Sequence, residues 1–260
     1  MFISEIYELL DSFVPIGLEE MDEVKLMDRV EKKYVFSATK LPDLLHQLSG
    51  GYKVLEIDMI RQFAYHTTYL DTYDNLSYTQ QVTGKLNRHK IRYRRYESSG
   101  LSFLEIKKKT NKKRTIKWRI ENSFDQNCTD ENALSFIKKY LPESFIDLRP
   151  VLDNGFTRIT LVGTEFKERV TLDFNLTFSS PEGSFTGLPF LAVAELKRKR
   201  FSGQSPFGII MKQIGIQPTR FSKYCIGSAL IREIPRKNTL KPNLLLINKI
   251  ENDYNNSTGT

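Results

Sequence analysis

The chain has 260 residues, 40% hydrophobic, 12% aromatic and 27% charged, a mixture that supports a packed core and excludes a disordered chain. Lysine and arginine exceed aspartate and glutamate by 39 to 31, giving a formal charge of +8 and a pI near 9.3, which points to an anionic partner. No apolar run reaches the roughly 18 residues of a membrane span and the acidic start MFISEIYELLDSF is no leader, so a cytoplasmic protein is expected.

In chain order, Ile3, Ile6, Leu10 and Phe13 recur at helical spacing until Pro15 and Gly17 break it, so residues 1–22 are read as an amphipathic helical segment. From Asp28 the pattern turns to alternation rich in β-branched and aromatic residues: DRVEKKYVF, FAYHTTYLD, HKIRYRRYE, LSFLEIKKK, RTIKWRI, TRITLV, RVTLDFNLTF and LAVAELKRK. About eight strands are expected, with helices at Leu41 to Leu48, Glu131 to Tyr140, Phe207 to Ile214 and Ser222 to Ile231. Gly84, Gly100, Asn111, Asn154 and Gly163 are read as joins. This body covers residues 23–231; residues 232–260 lack a long periodic segment and are expected to form a mobile tail.

Residues two apart in a strand share a face, so parity sorts the charges. Arg29, Glu31 and Lys33 fall together, as do Arg92 with Arg94, Glu105 with Lys107 and Lys109, Lys117 with Arg119, Arg169 with Asp173, and Glu195 with Lys197. Val30, Ile91, Tyr93, Leu104, Ile106, Ile116, Trp118, Val170, Leu172, Phe174, Ala194 and Leu196 take the opposite faces. Two unit charges about 5 Å apart at an effective dielectric near 20 interact by roughly 3 kcal/mol, so many cations on one face call for a bound polyanion and interspersed acids. An α+β chain of this kind can be an open antiparallel sheet whose basic face is solvated, or an antiparallel eight-stranded closed β-barrel with flanking helices and a cationic tunnel inside.

The carboxylates Glu31, Glu105, Asp173 and Glu195 share those faces, and hard oxygens of this kind suit Mg²⁺ or Mn²⁺ held jointly with phosphates, with Glu195 the first choice. Cys128 and Cys225 show no zinc or nucleophile spacing, and His46, His66 and His89 lie far apart in sequence. No G-x-x-x-x-G-K-[ST] loop is present.

The segments DRVEKKY, GKLNRHKIRYRRYESSGLSFLEIKKKTNKKRTIKWRI, ERVTLDFNL, VAELKRK and TRFSKYCIGSAL, in that order from Asp28 to Leu230, resemble the VTC domain. The resemblance implies the triphosphate tunnel metalloenzyme fold, a barrel around a basic tunnel. It implies phosphate-gripping or catalytic roles for Arg92, Arg94, Lys107, Lys117, Arg158 and Arg169, substrate contacts from Lys33, Arg119, Lys197, Arg220 and Lys223, and a metal ligand in Glu195. One phosphate-binding arginine of the family's polymerases is replaced here by the run YTQQVTGKLNRHK, where Gln80 and Gln81 stand and Lys85 or Arg88 are the candidate substitutes.

The function implied is a polyphosphate polymerase that moves the terminal phosphoryl group of ATP to inorganic polyphosphate with Mn²⁺ or Mg²⁺, with a membrane protein as a possible partner. A tunnel triphosphatase or nucleotide hydrolase and a non-catalytic polyphosphate binder stay open beside it. Nucleic acid is disfavoured, because Tyr93 and Trp118 fall on the apolar faces, where the core explains them, and few exposed aromatics remain for base stacking.

Overall fold

The computed structural model describes residues 2–23, 29–112, 114–123, 130–145, 147–200 and 203–258; Asp28, Cys128 and the side chain of Arg29 lie outside what is described. The first half runs α1 (Phe2–Asp11), β1 (Pro15–Ile16), α2 (Leu18–Glu23), β2 (Arg29–Ser37), α3 (Leu41–Leu48), β3 (Lys53–Leu55), β4 (Phe63–Asp71), α4 (Leu76–Val82), β5 (Arg88–Tyr96), β6 (Ser102–Lys109), β7 (Thr115–Glu121) and α5 (Glu131–Tyr140). The second runs β8 (Arg149–Gly163), β9 (Glu168–Ser179), β10 (Phe185–Leu188), β11 (Leu191–Lys199), α6 (Pro206–Gln213), α7 (Lys223–Ile231) and α8 (Lys241–Thr258).

The strands form one sheet in the order β2-β11-β9-β8-β4-β5-β6-β7, antiparallel along this path. β10 extends β9, while the short parallel pair β1 and β3 hangs on β8. Among the described residues β2 and β7 do not pair, so the expected closed barrel is corrected to a curled sheet with a seam. Like charges oppose each other across that seam, Lys117 with Lys197 and Lys107 with Lys33, and inward cations on edge strands are a known guard against edge pairing.

Three apolar clusters bracket the sheet. On the outer face α1, α3 and α6 pack Ile6, Leu10, Leu44, Phe207 and Met211 against Tyr34, Ile159, Leu172 and Ala194. Farther round, Ala133, Phe136 and Ile137 of α5 cover Ile91, Tyr93, Leu104 and Ile106. These are the apolar faces that parity assigns. The third cluster lies on the inner face, where Tyr224, Cys225 and Ile226 of α7 meet Val35, Tyr69, Leu152, Leu176, Phe178 and Val193. One end of the enclosed space is therefore filled by a helix. A Cβ at Gly227 would stand 2.9 Å from Leu152 Cδ2 and closer still to the Phe178 ring. We expect Gly227→Val to cost about 1–3 kcal/mol by overpacking, read from urea unfolding with an unchanged m-value.

The expected mobile tail is replaced by α8. Ile247 and Ile250 are buried in the inner cluster, with Leu240 and Tyr254 packed against it. These positions recur at helical spacing, but the intervening Asn and Lys residues dilute the pattern. α4 has no sequence signal of its own and owes its start to a buried carboxylate: Asp71 Oδ1 accepts the N–H groups of Thr72 (2.8 Å) and Ser77 (2.7 Å), and Oδ2 accepts that of Tyr78 (2.8 Å) and the Tyr224 hydroxyl. Asn154 and Gly163, read as joins, lie within the 15-residue β8. There the pairing with β9 shifts register at Gly155, whose Cβ would lie 2.6 Å from Thr177 Oγ1.

Candidate active site: a cationic chamber with one filled end

Alternation along β5 turns Lys90, Arg92 and Arg94 inward while Ile91 and Tyr93 are buried against the α5 side. The ladders then set Arg92 opposite Glu105, Lys90 opposite Lys107, Glu105 opposite Arg119, and Lys107 opposite Lys117. On the other flank Glu195 faces Lys33, Lys197 faces Glu31 on β2 and Arg169 on β9, and Arg158 faces Asp173. Lys107 feels the charges of Glu31, Glu195 and Lys33, so the sheet curls until β6 confronts β11 and β2. Arg92, Glu105, Lys107, Lys117 and Arg119 line a cavity of about 220 Å³ there. The start of α7 forms the floor of the inner face on the other side: Lys33 Nζ donates to the Phe221 carbonyl (3.0 Å), Lys90 Nζ contacts Ser222 Oγ (3.1 Å), and Lys223 Nζ meets Asp173 Oδ2.

The inner cations divide into two sets. One set is neutralised. Arg158 grips Asp173 through two bonds of 2.5 and 2.7 Å, Arg92 Nε reaches Glu105 Oε2 at 2.7 Å, and Lys197 Nζ lies 3.1 Å from Glu195 Oε2. Burial would raise all three carboxyls, yet it is outweighed. Arg158 and Lys223 hold Asp173 well below the usual range, Arg92 and Arg94 hold Glu105 at about 2, and Lys197 and Lys33 keep Glu195 low.

The second set, Lys33, Lys90, Arg94, Lys107 and Lys117, has no carboxylate within salt-bridge distance among the described residues. Burial, with the like charges of Lys33 and Lys107, pushes Lys90 down to about 7. It pushes Lys107 down to about 8 despite Glu31 and Glu195. Lys117, although accessible at the seam, is lowered to about 7 by desolvation and by Arg92 and Lys107. Arg94 falls to about 10 through burial and Arg92, and lies over the stacked rings of Tyr65 (5.4 Å) and Phe156 (5.9 Å). Cations so arranged are preorganised for an anion that brings its own charge.

Most residues singled out in the sequence converge here: Lys33, Arg92, Arg94, Lys107, Lys117, Arg119, Arg158, Arg169, Glu195, Lys197 and Lys223 all belong to the inner face or its floor. Arg220 does not join them; it is exposed before α7, and its carbonyl accepts Asn243 Nδ2 at 2.7 Å. Nor do the candidate substitutes for the missing arginine. Lys85 is exposed, and Arg88 is drawn to Gln81 Oε1 (3.2 Å) and the Lys85 carbonyl (3.0 Å). Lys90 is the cation that points in, and it is visible in retrospect as the residue two before Arg92. The aromatic shelf of Tyr65 and Phe156 carried no sequence signal, because its members come from β4 and β8.

Glu195 and Glu31 sit diagonally across the β11–β2 ladder, and both act on Lys107. Among the described residues no group of three or more His, Cys, Asp or Glu side chains gathers to hold an ion unaided. This donor set fits a hard divalent cation whose remaining ligands are phosphate oxygens and water, the way Mg²⁺ is commonly bound.

The model of one protein family, the VTC domain, matches residues 28–232, a span that holds every inner-face strand and α7. The chain belongs to the VTC domain family. No curated protein matches it. Among solved structures, this VTC-domain chain is similar to a candidate adenylate cyclase from Vibrio parahaemolyticus, at 13% identity and TM-score 0.46 over 78% of this chain and 99% of that one. It is also similar to a candidate adenylyl cyclase from Hippeastrum described as having a dominant triphosphatase activity, at 13% identity and TM-score 0.45 over 80% and 98%. A protein from Pyrococcus horikoshii aligns at 12% identity and TM-score 0.41 over 76% and 97%. None of the VTC-domain chain's described helices is long and apolar enough to cross a membrane.

The lowered lysines give the VTC-domain chamber a definite pH response. A bound polyanion favours the ammonium form of Lys90, Lys107, Lys117 and Lys223, so binding takes up protons wherever these groups are partly neutral when free. Affinity for tripolyphosphate should therefore fall as pH rises from about 7 to about 9, and calorimetry in buffers of different ionisation enthalpy should register the uptake. An affinity flat across that window contradicts the assignment of these lysines to the binding surface.

Proposed function

We propose that the chamber is the active site of a polyphosphate polymerase, which transfers the terminal phosphoryl group of ATP to the end of an inorganic polyphosphate chain. The observation that carries this reading is the row of inner cations with no carboxylate within salt-bridge distance among the described residues, Lys33, Lys90, Arg94, Lys107 and Lys117, on a chain of the VTC domain family. An extended chain of phosphates supplies charge at regular spacing, which matches cations spread over several strands better than a compact monoanion does.

In this reading the guanidinium fork of Arg94 and the ammonium groups of Lys90, Lys107 and Lys117 hold the phosphate chain, with Arg92, Arg158, Arg169 and Lys197 fixed around them. A terminal oxygen of the acceptor attacks the γ-phosphorus of ATP. The bond from that phosphorus to the bridging oxygen breaks, a new P–O bond forms, and ADP leaves. No protein nucleophile is needed, since positioning and electrostatic stabilisation suffice for phosphoryl transfer. Glu195 and Glu31 would hold a divalent cation such as Mn²⁺ or Mg²⁺ jointly with the phosphates, and when bound it would supply further neutralisation of charge. A membrane protein that takes up the product is a partner consistent with the basic surface.

A second reading keeps the chamber and delivers the phosphoryl group to water; a third makes the domain a polyphosphate binder. The nucleic-acid reading loses support because Tyr93 is buried and Trp118 stacks on Tyr140 at 4.7 Å. Purified protein is incubated with ATP and Mn²⁺ or Mg²⁺ and the products resolved by length. A ladder of chains that vanishes in Glu195→Ala supports the polymerase. Phosphate or pyrophosphate without chains favours the hydrolase, and no turnover leaves the binder.

A further inference from the structure

The seam and the filled end together pose a question of routing. α7 and its apolar contacts occupy one end of the space enclosed by the sheet, so a polymer seated on the inner face has no straight path past them. The edge strand β7, by contrast, is open. Lys117, Trp118 and Arg119 line two cavities at once, the inner one of about 220 Å³ and a larger groove of about 650 Å³ between β7 and α5. The groove's other wall includes Asn132, Ser135, Lys139 and Tyr140.

Its chemistry suits a polyanion. Lys117 and Arg119 reach it over the strand edge, Lys139 stands on the far wall with its ammonium 5.3 Å from the Tyr140 ring centroid, and Glu121 is the one carboxylate among its lining residues. Arg119 is propped over Phe103 at 4.8 Å, which holds its guanidinium at the lip between the two spaces. Lys139 is exposed and makes no described ion pair, so its charge is available.

We propose that the groove between β7 and α5 is a polyphosphate-binding track, into which a chain longer than the chamber can hold passes sideways over the β7 edge. This rests on the reading of the chamber as a polyphosphate site and adds where the rest of the polymer goes. Charge complementarity and continuity with the chamber through Lys117 and Arg119 name the occupant. Short phosphates stay inside and never reach Lys139, whereas long chains do. Affinity for long chains should thus depend on a residue that affinity for tripolyphosphate ignores.

The test measures binding of tripolyphosphate and of long-chain polyphosphate to the wild type, Lys139→Glu and Lys138→Glu. Lys138 is an equally exposed α5 lysine that does not line the groove, so its variant carries the same change in net charge. We expect Lys139→Glu to weaken long-chain binding roughly threefold to tenfold and flatten its salt dependence, with Lys138→Glu near wild type and tripolyphosphate within about twofold in both. Equal losses in the two variants, or none, would overturn the track. A wild type that binds tripolyphosphate but gains nothing from a longer chain would defeat the polymer reading itself, whatever the variants do. If Lys139→Glu impairs binding of a single-stranded oligonucleotide and leaves polyphosphate untouched, the groove belongs to nucleic acid and the proposal fails.

Discussion

Replacing Arg94 with alanine is expected to reduce phosphoryl transfer by at least about a hundredfold while leaving thermal stability unchanged or raised. Both halves follow from the same geometry. Among the described residues Arg94 makes one long bond, to Thr67 Oγ1 (3.4 Å), and lies over Tyr65 and Phe156, while burial and the repulsion of Arg92 and Arg158 outweigh the attraction of Glu105. Burial and that repulsion make its charge costly in the free protein, and a phosphate removes the cost on binding. Deleting it therefore removes a repelling charge from the inner face and deprives the substrate of a partner. Arg94→Lys retains the charge without the planar fork and should recover only part of the rate. A variant that turns over normally would remove Arg94 from the site; one that unfolds would mean that its role is structural.

Asp173→Ala should behave in the opposite way. This buried carboxylate is the shared counter-ion of Arg158, through bonds of 2.5 and 2.7 Å, and of Lys223 on the floor helix. Its removal leaves two desolvated cations facing each other, at an expected cost of about 3–5 kcal/mol, or a fall in melting temperature on the order of 10 °C. The sign with pH can be checked as well. Burial raises the Asp173 carboxyl less than Arg158 and Lys223 lower it, so the net shift is downward. Its stabilisation is present above the ordinary carboxylate pKa near 4 and is lost as pH falls toward its folded value, so the gap between wild type and variant should narrow below about pH 4. Tripolyphosphate should raise the melting temperature of the variant more than that of the wild type, because it supplies the missing counter-charge. A variant as stable as the wild type at neutral pH would show that Arg158 and Lys223 do not need Asp173.

The contrast between these residues also shows what a linear chain reveals. Period-two alternation is a local property, so the inward set of β5, β6 and β7 was legible, and Ile91, Leu104 and Ile106 took their predicted side against α5. Which inward cations are neutralised depends on the neighbouring strand. Arg92 and Arg94 look alike in IRYRRY, yet only Arg92 has a glutamate opposite it. Lys90 follows the same alternation and shares the inward face with Arg92 and Arg94, opposite Lys107. The seam was illegible, since strand composition fixes neither the number of pairings nor closure; those depend on how far the sheet curls and on charges meeting across it. α4 and α8 were missed for one reason in two forms: each is held by tertiary partners, Asp71 and Tyr224 for the first and the α7 cluster for the second, which outweigh a weak local pattern.

The pairing of β2 with β11 has a bearing on how the protein is made. Lys33 lies beside Glu195, and Arg29 beside Lys199, in a ladder that joins segments far apart in the chain, whereas β5, β6 and β7 pair with near neighbours in sequence. During synthesis the meander from β5 to β7 can therefore assemble early. β2 must wait, with its hydrogen-bonding groups unmet, until β11 has left the ribosome. Docking of this strand is the natural slow step in folding, and the interval before it is when a nascent chain most needs a chaperone's protection against pairing with the wrong partner.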